Sequence, residues 1–229
     1  MLNRIKIILL MLIILGVVQV AQASAVLEST RVIYNANKKD ATLTVNNPDD
    51  QPYLIQSWVG NENSDAPENN PLFITTPPLF RLDAKQSNTL RIIYMEDRGS
   101  LPKDKQSVFW LNVKAIPSSN PSAKDTLSIS INTRIKLFYT PDGLSQDAFD
   151  MAFKKLTFSI SGNQLTVKNP TPYYVTLAKL AVGSHEIDKP GMIAPESLIN
   201  FIIPDNTTTR KISWSAINSY GGVTENLVN

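Results

Sequence analysis

The residues best suited to covalent or metal chemistry are scarce in this 229-residue chain. It has no cysteine and one histidine, His185, in a predicted turn. Thiolate nucleophiles and thiolate metal ligands are therefore excluded, and one histidine cannot form a multi-histidine metal site. The acidic residues are scattered, with no carboxylate pair at the spacing of glycosidase chemistry. We expect no enzyme activity, no catalytic residue, no metal and no cofactor.

The pattern that could bind another molecule is an alternating run from Thr126 to Tyr139. Leu127, Ile129 and Ile131 are among the apolar residues of one parity, and the residues of the other parity from Ser128 to Lys136 are polar. As one strand these fourteen residues would extend about 46 Å, more than twice the common strand length of about 17–20 Å. Two interpretations remain open. Either the whole run is core, or its first part is an exposed edge that pairs with a strand from another protein.

Strand-like runs also make up the rest of the chain, which predicts an all-β protein. Short β-branched and aromatic runs alternate with Pro, Asn, Asp and Gly clusters, as in β-sandwiches. Besides 126–139, the first set of runs is Val26–Tyr34, Ala41–Asn46, Tyr53–Val59, Thr89–Met95 and Val108–Ile116. The second set is Phe153–Ile160, Leu165–Asn169, Tyr173–Val182, Ile199–Ile203 and Lys211–Ile217. A turn signal at 141–143 separates the two sets, so we expect two small sandwiches.

The first 23 residues have the pattern of a cleaved secretory signal peptide. Arg4 and Lys6 precede the apolar block Ile7–Val18, and Ala21-Gln22-Ala23 follows it as an A-x-A site. Twelve helical residues reach about 18 Å, too short for a hydrocarbon core of about 30 Å, so we expect no stable membrane insertion. Without these two cations the chain carries 20 basic and 20 acidic side chains, a balance that does not favour nucleic acid as a partner.

Four sequence stretches resemble one family, the periplasmic pilus chaperones, over essentially the whole chain after the signal peptide. They are STRVIY at 29–34, the run from Leu101-Pro102 through WLN at 110–112 to Ile116-Pro117, RIKLFY at 134–139 and NPTPYY at 169–174. The resemblance implies two immunoglobulin-like β-sandwich domains set at an angle, L-shaped, with a cleft between them. The expected limits are 1–23 for the signal peptide, 24–142 for the first domain with the donor strand, and 149–229 for the second.

The resemblance also implies a site. In this family an arginine in the first strand and a lysine late in the long strand bind the carboxylate that ends the subunit chain; here they correspond to Arg31 and Lys136. Without the resemblance, both would be taken as solvated strand charges. The side chains of Leu127, Ile129 and Ile131 would then enter an open groove of the subunit and complete its fold.

The expected partners follow from the same resemblance. They are fimbrial or pilus subunits and an outer-membrane usher, met in the periplasm, and a homodimer of the free protein could cap its exposed edge. The short connection Pro117–Asp125 is similar to that of the short-loop subgroup. One departure stands out: family members usually carry a charged network between the domains, whereas this chain has Gln106, Thr140 and Ser219 at the matching positions. How the interdomain angle is held is thus open.

Two other functions remain as alternatives. An exported fimbrial subunit or adhesin would typically be a single incomplete sandwich, often with a cysteine pair, and neither feature is present. A carbohydrate-binding β-sandwich protein would need an aromatic platform. The three tryptophans, Trp58, Trp110 and Trp214, lie within strand runs and are better interpreted as sandwich core.

Overall fold

The structure, a computed structural model, describes residues 25–64, 66–118, 127–204 and 210–229. The predicted signal peptide lies outside these residues, as does Thr126 at the start of the alternating run. Within the described ranges, no helix is both long and apolar enough to cross a membrane.

The first nine strands form two sheets. The strands are β1 (Val26–Leu27), β2 (Arg31–Asn35), β3 (Ala41–Asn46), β4 (Tyr53–Gly60), β5 (Phe73–Thr76), β6 (Leu79–Leu82), β7 (Ser87–Tyr94), β8 (Ser107–Pro117) and β9 (Ile131–Thr140). One sheet has the order β1-β3-β7-β5 and the other β2-β9-β8-β4-β6. The pair β2–β9 is parallel, whereas β8 runs antiparallel to both β9 and β4.

The rest of the chain begins with a short helix, α1 (Gln146–Met151), which the sequence interpretation missed. Ser145 caps it by accepting a 3.2 Å hydrogen bond from the Ala148 amide. A 3₁₀ turn at Ala152–Lys155 follows. The remaining strands are β10 (Thr157–Ser161), β11 (Gln164–Asn169), β12 (Val175–Val182), β13 (His185–Glu186), β14 (Met192–Ile193), β15 (Ser197–Ile202), β16 (Ile212–Ala216) and β17 (Leu227–Val228). They form one sheet β10-β11-β15 and a second around β12 and β16.

Two hydrophobic clusters fill the spaces between these sheets, and β9 contributes to both. Ile135 and Leu137 belong to the cluster formed by the first sheets, while Phe138 belongs to the cluster formed by the later ones. Adjacent side chains of a strand point to opposite faces, so one strand can serve two cores. The all-β, two-sandwich prediction is confirmed.

The strands differ from the prediction in several places. The run 26–34 is not one strand, because β1 pairs with β3 in one sheet and β2 pairs with β9 in the other. Between them the Ser29 hydroxyl donates to the Arg31 carbonyl at 2.8 Å, which stabilises the crossing. The four-residue strands β5 and β6, on either side of the Pro77-Pro78 turn, were not predicted because such short runs carry little periodicity.

Candidate functional site

Arg31, Lys136 and Trp110 form a row across three neighbouring strands. Arg31 of β2 is the register partner of Lys136 of β9, and Lys136 is the partner of Trp110 of β8. Register partners project from the same face of a sheet with their Cβ atoms about 5 Å apart. The two cations that the resemblance singled out, 105 positions apart in the chain, are thus neighbours on one face.

Arg31 is buried, with 6% of its surface exposed, so it is not a solvated strand charge. Its Nη1 donates a 3.2 Å hydrogen bond to the Ile217 carbonyl, and its guanidinium carbon lies 5.9 Å from the centre of the Phe138 ring. Its Nε is buried and, in the described part of the chain, has no hydrogen-bond partner. Burial lowers the pKa of Arg31, and the charge of Asp150 partly opposes this shift. Arg31 therefore holds a positive charge where water is scarce.

Lys136 is half-buried beside Arg31. Its Nζ lies 5.6 Å from the centre of the Trp110 ring. The pKa of Lys136 is lowered, first by burial and then by the charge of Arg31, while Glu62 acts in the opposite direction. Across the described ranges, neither Arg31 nor Lys136 has a carboxylate within 4 Å. Two adjacent cations without an ion-pair partner make this row a candidate binding site for an anion.

An open cleft of about 650 Å³ lies beside Arg31. Ser219 and Tyr220 contribute to its lining from near the end of the chain, and β2, β3 and the segments just before these two strands contribute the rest. The loop that carries Tyr220 packs closely, since a Cβ atom on Gly221 would lie 2.4 Å from the Thr30 hydroxyl oxygen. Gly221 also has a φ of 86°, which other residues rarely adopt. This glycine allows the loop to approach the strand that carries Arg31.

The apolar side chains at the start of the alternating run are exposed. Leu127 is 86%, Ile129 66% and Ile131 47% exposed, whereas Ile135 is 8% and Leu137 0% exposed. The interpretation that the whole run is core is therefore wrong for its first part. Whether these three side chains enter a partner's groove stays a prediction.

The run is also a shorter strand than predicted, because β9 begins at Ile131 rather than at residue 126. Its pairing with β8 ends at Ile131 opposite Ala115. Continuing the register would set Ile129 opposite Pro117, which has no N–H to donate. On its other side, β9 pairs with β2 only from Lys136 onward. Within the described residues, the 131–135 edge of β9 thus lacks a strand neighbour.

Neutral hydrogen bonds occupy two of the three positions, Gln106 and Thr140, where the resemblance implies a charged network. The buried Gln106 side chain donates from Nε2 to Thr140 Oγ1 at 3.0 Å and accepts at Oε1 from the Tyr174 amide at 3.0 Å. Its backbone N–H donates to the Pro172 carbonyl at 2.9 Å. These hydrogen bonds join the start of β8 and the end of β9 to the segment before β12, and no charged group takes part in them.

Ser219, the third of these positions, bonds to α1. Its amide and hydroxyl donate to the two carboxylate oxygens of Asp150 at 2.8 and 2.9 Å. The Ser219 hydroxyl also accepts from Gln146 Nε2 at 2.9 Å. Asp150, which sequence reasoning did not select, thus fixes the loop beside the Arg31 cleft.

Trp110 was interpreted from the sequence as sandwich core, and the structure places it in the row with Arg31 and Lys136. It is only half-buried, and both Lys136 and Arg134 lie over its ring. A signal was available, because Trp110 and Lys136 both lie on long strand runs of the first set. Their register could not be inferred from the sequence. His185, on β13, is remote in sequence from this row, and no cluster of three or more potential metal ligands occurs in the described ranges.

Comparison with known proteins gives matches along nearly the whole chain. Residues 24–145 match the family described as pili and flagellar-assembly chaperone, PapD N-terminal domain, and residues 151–227 match the pili assembly chaperone PapD, C-terminal domain. The chain is 42% identical to the probable fimbrial chaperone LpfB of Escherichia coli O157:H7 over 203 residues, covering 87% of this chain and 85% of the relative. It is also 42% identical to the chaperone protein FimC of Escherichia coli K12 over 207 residues, covering 89% of this chain and 83% of FimC.

Solved structures agree with these sequence matches. The crystal structure of the E. coli chaperone DraB superposes with a TM-score of 0.78 at 37% identity, covering 90% of this chain and 98% of DraB. The SafB chaperone of Salmonella enterica, solved in complex with the SafA pilin, gives a TM-score of 0.78 at 35% identity and covers 90% of this chain and 95% of its own.

Proposed function

This chain belongs to the PapD family of pilus-assembly chaperones, and from this premise we propose that Arg31 and Lys136 hold the terminal carboxylate of a pilus subunit. Its function is that of a chaperone in the folding and assembly of pilus subunits. Both halves of the chain match chaperone domains, which argues against a fimbrial subunit, an adhesin or a carbohydrate-binding module.

The observation that carries the proposed anchor is a pair of adjacent cations, neither of which has an ion-pair partner among the described residues. A terminal carboxylate has two oxygens, which suit the fork of an arginine and the point charge of a lysine. Arg31 is buried, so its attraction for an anion is screened less than that of a surface arginine. No acidic side chain of the described residues forms an ion pair with either cation, and Asp150 and Glu62 act on them only from beyond 4 Å.

The exposed segment 127–131 completes the proposal. From Lys136 to Ile131 the strand advances about 17 Å at roughly 3.3 Å per residue. A subunit chain anchored at Lys136 could therefore pair along the open edge of β9 and reach the exposed side chains at 127–131. Burial of three aliphatic side chains contributes on the order of 5–9 kcal/mol before association costs. Anchoring the subunit's end would fix the register in which these side chains enter its groove.

The domain limits and partners extend the proposal. We place the domains at 24–142 and 149–229, since β9, the last strand of the first two sheets, ends at Thr140 and α1 begins the second half of the chain. The SafB relative was solved with a pilin, which supports a pilin-like subunit as the partner here. One solved relative is a periplasmic chaperone, SfaE, which supports a periplasmic location after removal of residues 1–23. Delivery to an outer-membrane usher, and a homodimer that caps the free edge, complete the proposed cycle.

The anchor can be tested with peptides in place of the subunit. A soluble peptide of alternating valine and threonine is made once with a free C-terminal carboxylate and once as the C-terminal amide. Each is titrated into the full mature chain, and binding is followed by NMR shifts of the β2 and β9 amides. We expect the peptide with the free carboxylate to bind more tightly than the peptide amide. Equal binding of both forms, or binding of neither, would refute the proposed anchor.

A further inference from the structure

The Trp110 ring lies under two cations with different environments. Lys136 Nζ is 5.6 Å and the Arg134 guanidinium carbon 4.8 Å from the ring centre. Both distances are in the range of a cation–π contact. Since Trp110 is the direct register partner of Lys136, the two Cβ atoms leave the sheet side by side.

Arg134 is committed to other groups. Its Nη2 donates to the Asn61 carbonyl at 2.8 Å and also to the Glu62 carbonyl. These carbonyls reach Arg134 because the chain turns back over Gly60, where a Cβ atom would lie 2.5 Å from Ser64 Cβ. Arg134 is thus tied to the 61–64 turn.

Lys136 is held differently. Among the residues that the structure describes, no hydrogen bond and no ion pair restrains its ammonium, and the Trp110 ring is its aromatic contact. An acidic side chain in place of that ring would restrain the lysine too, but it would neutralise the charge and compete with an incoming carboxylate. An aromatic ring attracts a cation through its quadrupole and carries no formal charge.

We propose that Trp110 is a positioning residue that holds the Lys136 ammonium beside Arg31 while leaving its charge available to a carboxylate. A lysine has a flexible four-carbon stem, so an ordered ammonium loses less conformational freedom when the anion binds. This inference rests on the proposed function, because it concerns the same carboxylate site. It adds a residue of β8 to a site otherwise formed by β2 and β9.

The test measures the ratio of the two peptide dissociation constants, amide over carboxylate, in the full mature chain. Trp110→Leu should lower this ratio about two- to fivefold, the range that an exposed cation–π contact represents. Trp110→Phe keeps an aromatic ring and should recover part of the loss. Circular dichroism and thermal melting verify that each variant is folded; should Trp110→Leu be unfolded, Trp110→Phe and the cycle below decide.

A double-mutant cycle separates positioning from direct contact. In a Lys136→Met background, replacement of Trp110 by Leu or Phe should leave the remaining preference, due to Arg31, unchanged. Arg134→Gln is the matched control, because it removes a cation from the same ring but leaves Lys136 in place; we expect less than about a twofold change.

The peptide measurements distinguish failure of the carboxylate anchor from failure of the role of Trp110. If the wild-type chain does not prefer the carboxylate peptide, the carboxylate anchor proposed above fails. Suppose that the wild-type chain prefers the carboxylate peptide. The positioning role of Trp110 is overturned if the Trp110 variants keep the full wild-type ratio of dissociation constants. It is also overturned if replacing Trp110 lowers this ratio as much in the Lys136→Met background as in the wild type. In both cases the carboxylate anchor stands.

Discussion

Gln106 Nε2 lies 3.0 Å from Thr140 Oγ1, and this buried hydrogen bond joins two strands where they meet the second half of the chain. The Gln106 side-chain oxygen accepts from the Tyr174 amide, so a single amide group links three segments. The neutral groups of Gln106 and Thr140 avoid the cost of desolvating charges.

We first predict that Gln106→Ala costs about 1–3 kcal/mol of unfolding free energy, because it leaves the Thr140 hydroxyl and the Tyr174 amide without a partner in a buried place. Urea denaturation measures this loss. Since no formal charge is removed, the loss should be the same at low and at high salt. Gln164→Ala, at an exposed glutamine of β11, is the control and should change little. A loss that shrinks strongly with salt would contradict a neutral junction.

The second prediction concerns the proposed anchor. Arg31→Ala and Lys136→Ala should leave the chain folded and abolish capture of a pilus subunit, because each removes one of two cations that no described acidic residue balances. Copurification of subunit with chaperone from periplasm measures capture, and circular dichroism measures folding. Lys179→Ala, an exposed lysine on β12, is the matched control and should capture normally. Retained capture in both anchor variants would refute the anchor.

Third, Ile129→Asp should weaken capture while costing less than about 1 kcal/mol of stability, since Ile129 is exposed and lies outside any strand. Leu137→Ala, on the same parity of the same run but fully buried, should cost about 2–5 kcal/mol. Thermal and urea unfolding distinguish the two variants. Comparable destabilisation by both would mean that residue 129 belongs to the core of its own chain.

The fourth prediction is a stability difference that depends on pH. Burial and the charge of Arg31 lower the pKa of Lys136 in the folded chain, so the unfolded chain binds more protons between that pKa and the ordinary lysine value. The contribution of Lys136 to the unfolding free energy therefore rises as the pH rises from the lowered pKa to the ordinary lysine pKa, which is the alkaline window. At neutral pH the charged lysine lowers stability.

Lys136→Met keeps most of the stem and removes the charge. It should raise the urea midpoint at neutral pH while capture is lost, and its advantage over wild type should shrink as pH rises through the alkaline window. Lys179→Met again serves as control. A variant that is less stable than wild type at neutral pH would show that contacts of the ammonium outweigh its desolvation.

Local patterning was sufficient for much of this fold. Alternation and turn residues located β3 with its observed limits and most longer strands within one or two residues. It missed β5, β6 and α1, because four-residue strands and a six-residue helix have too few residues for a period to be detected. It also predicted a strand from 126, since alternation continues toward the N-terminus past Ile131, where the pairing with β8 ends.

By itself, the sequence determined the all-β class, the two halves, and, through short motifs that resemble one family, the identity of Arg31, Lys136 and the exposed apolar triplet. Those features depend only on residue type and local spacing. Only the tertiary structure decided that Arg31 is buried against Ile217 and Phe138, that the edge of β9 is open only before Lys136, and that Trp110 lies beside that lysine. Strand register and packing between distant segments set these relations, and both depend on contacts that local periodicity does not encode.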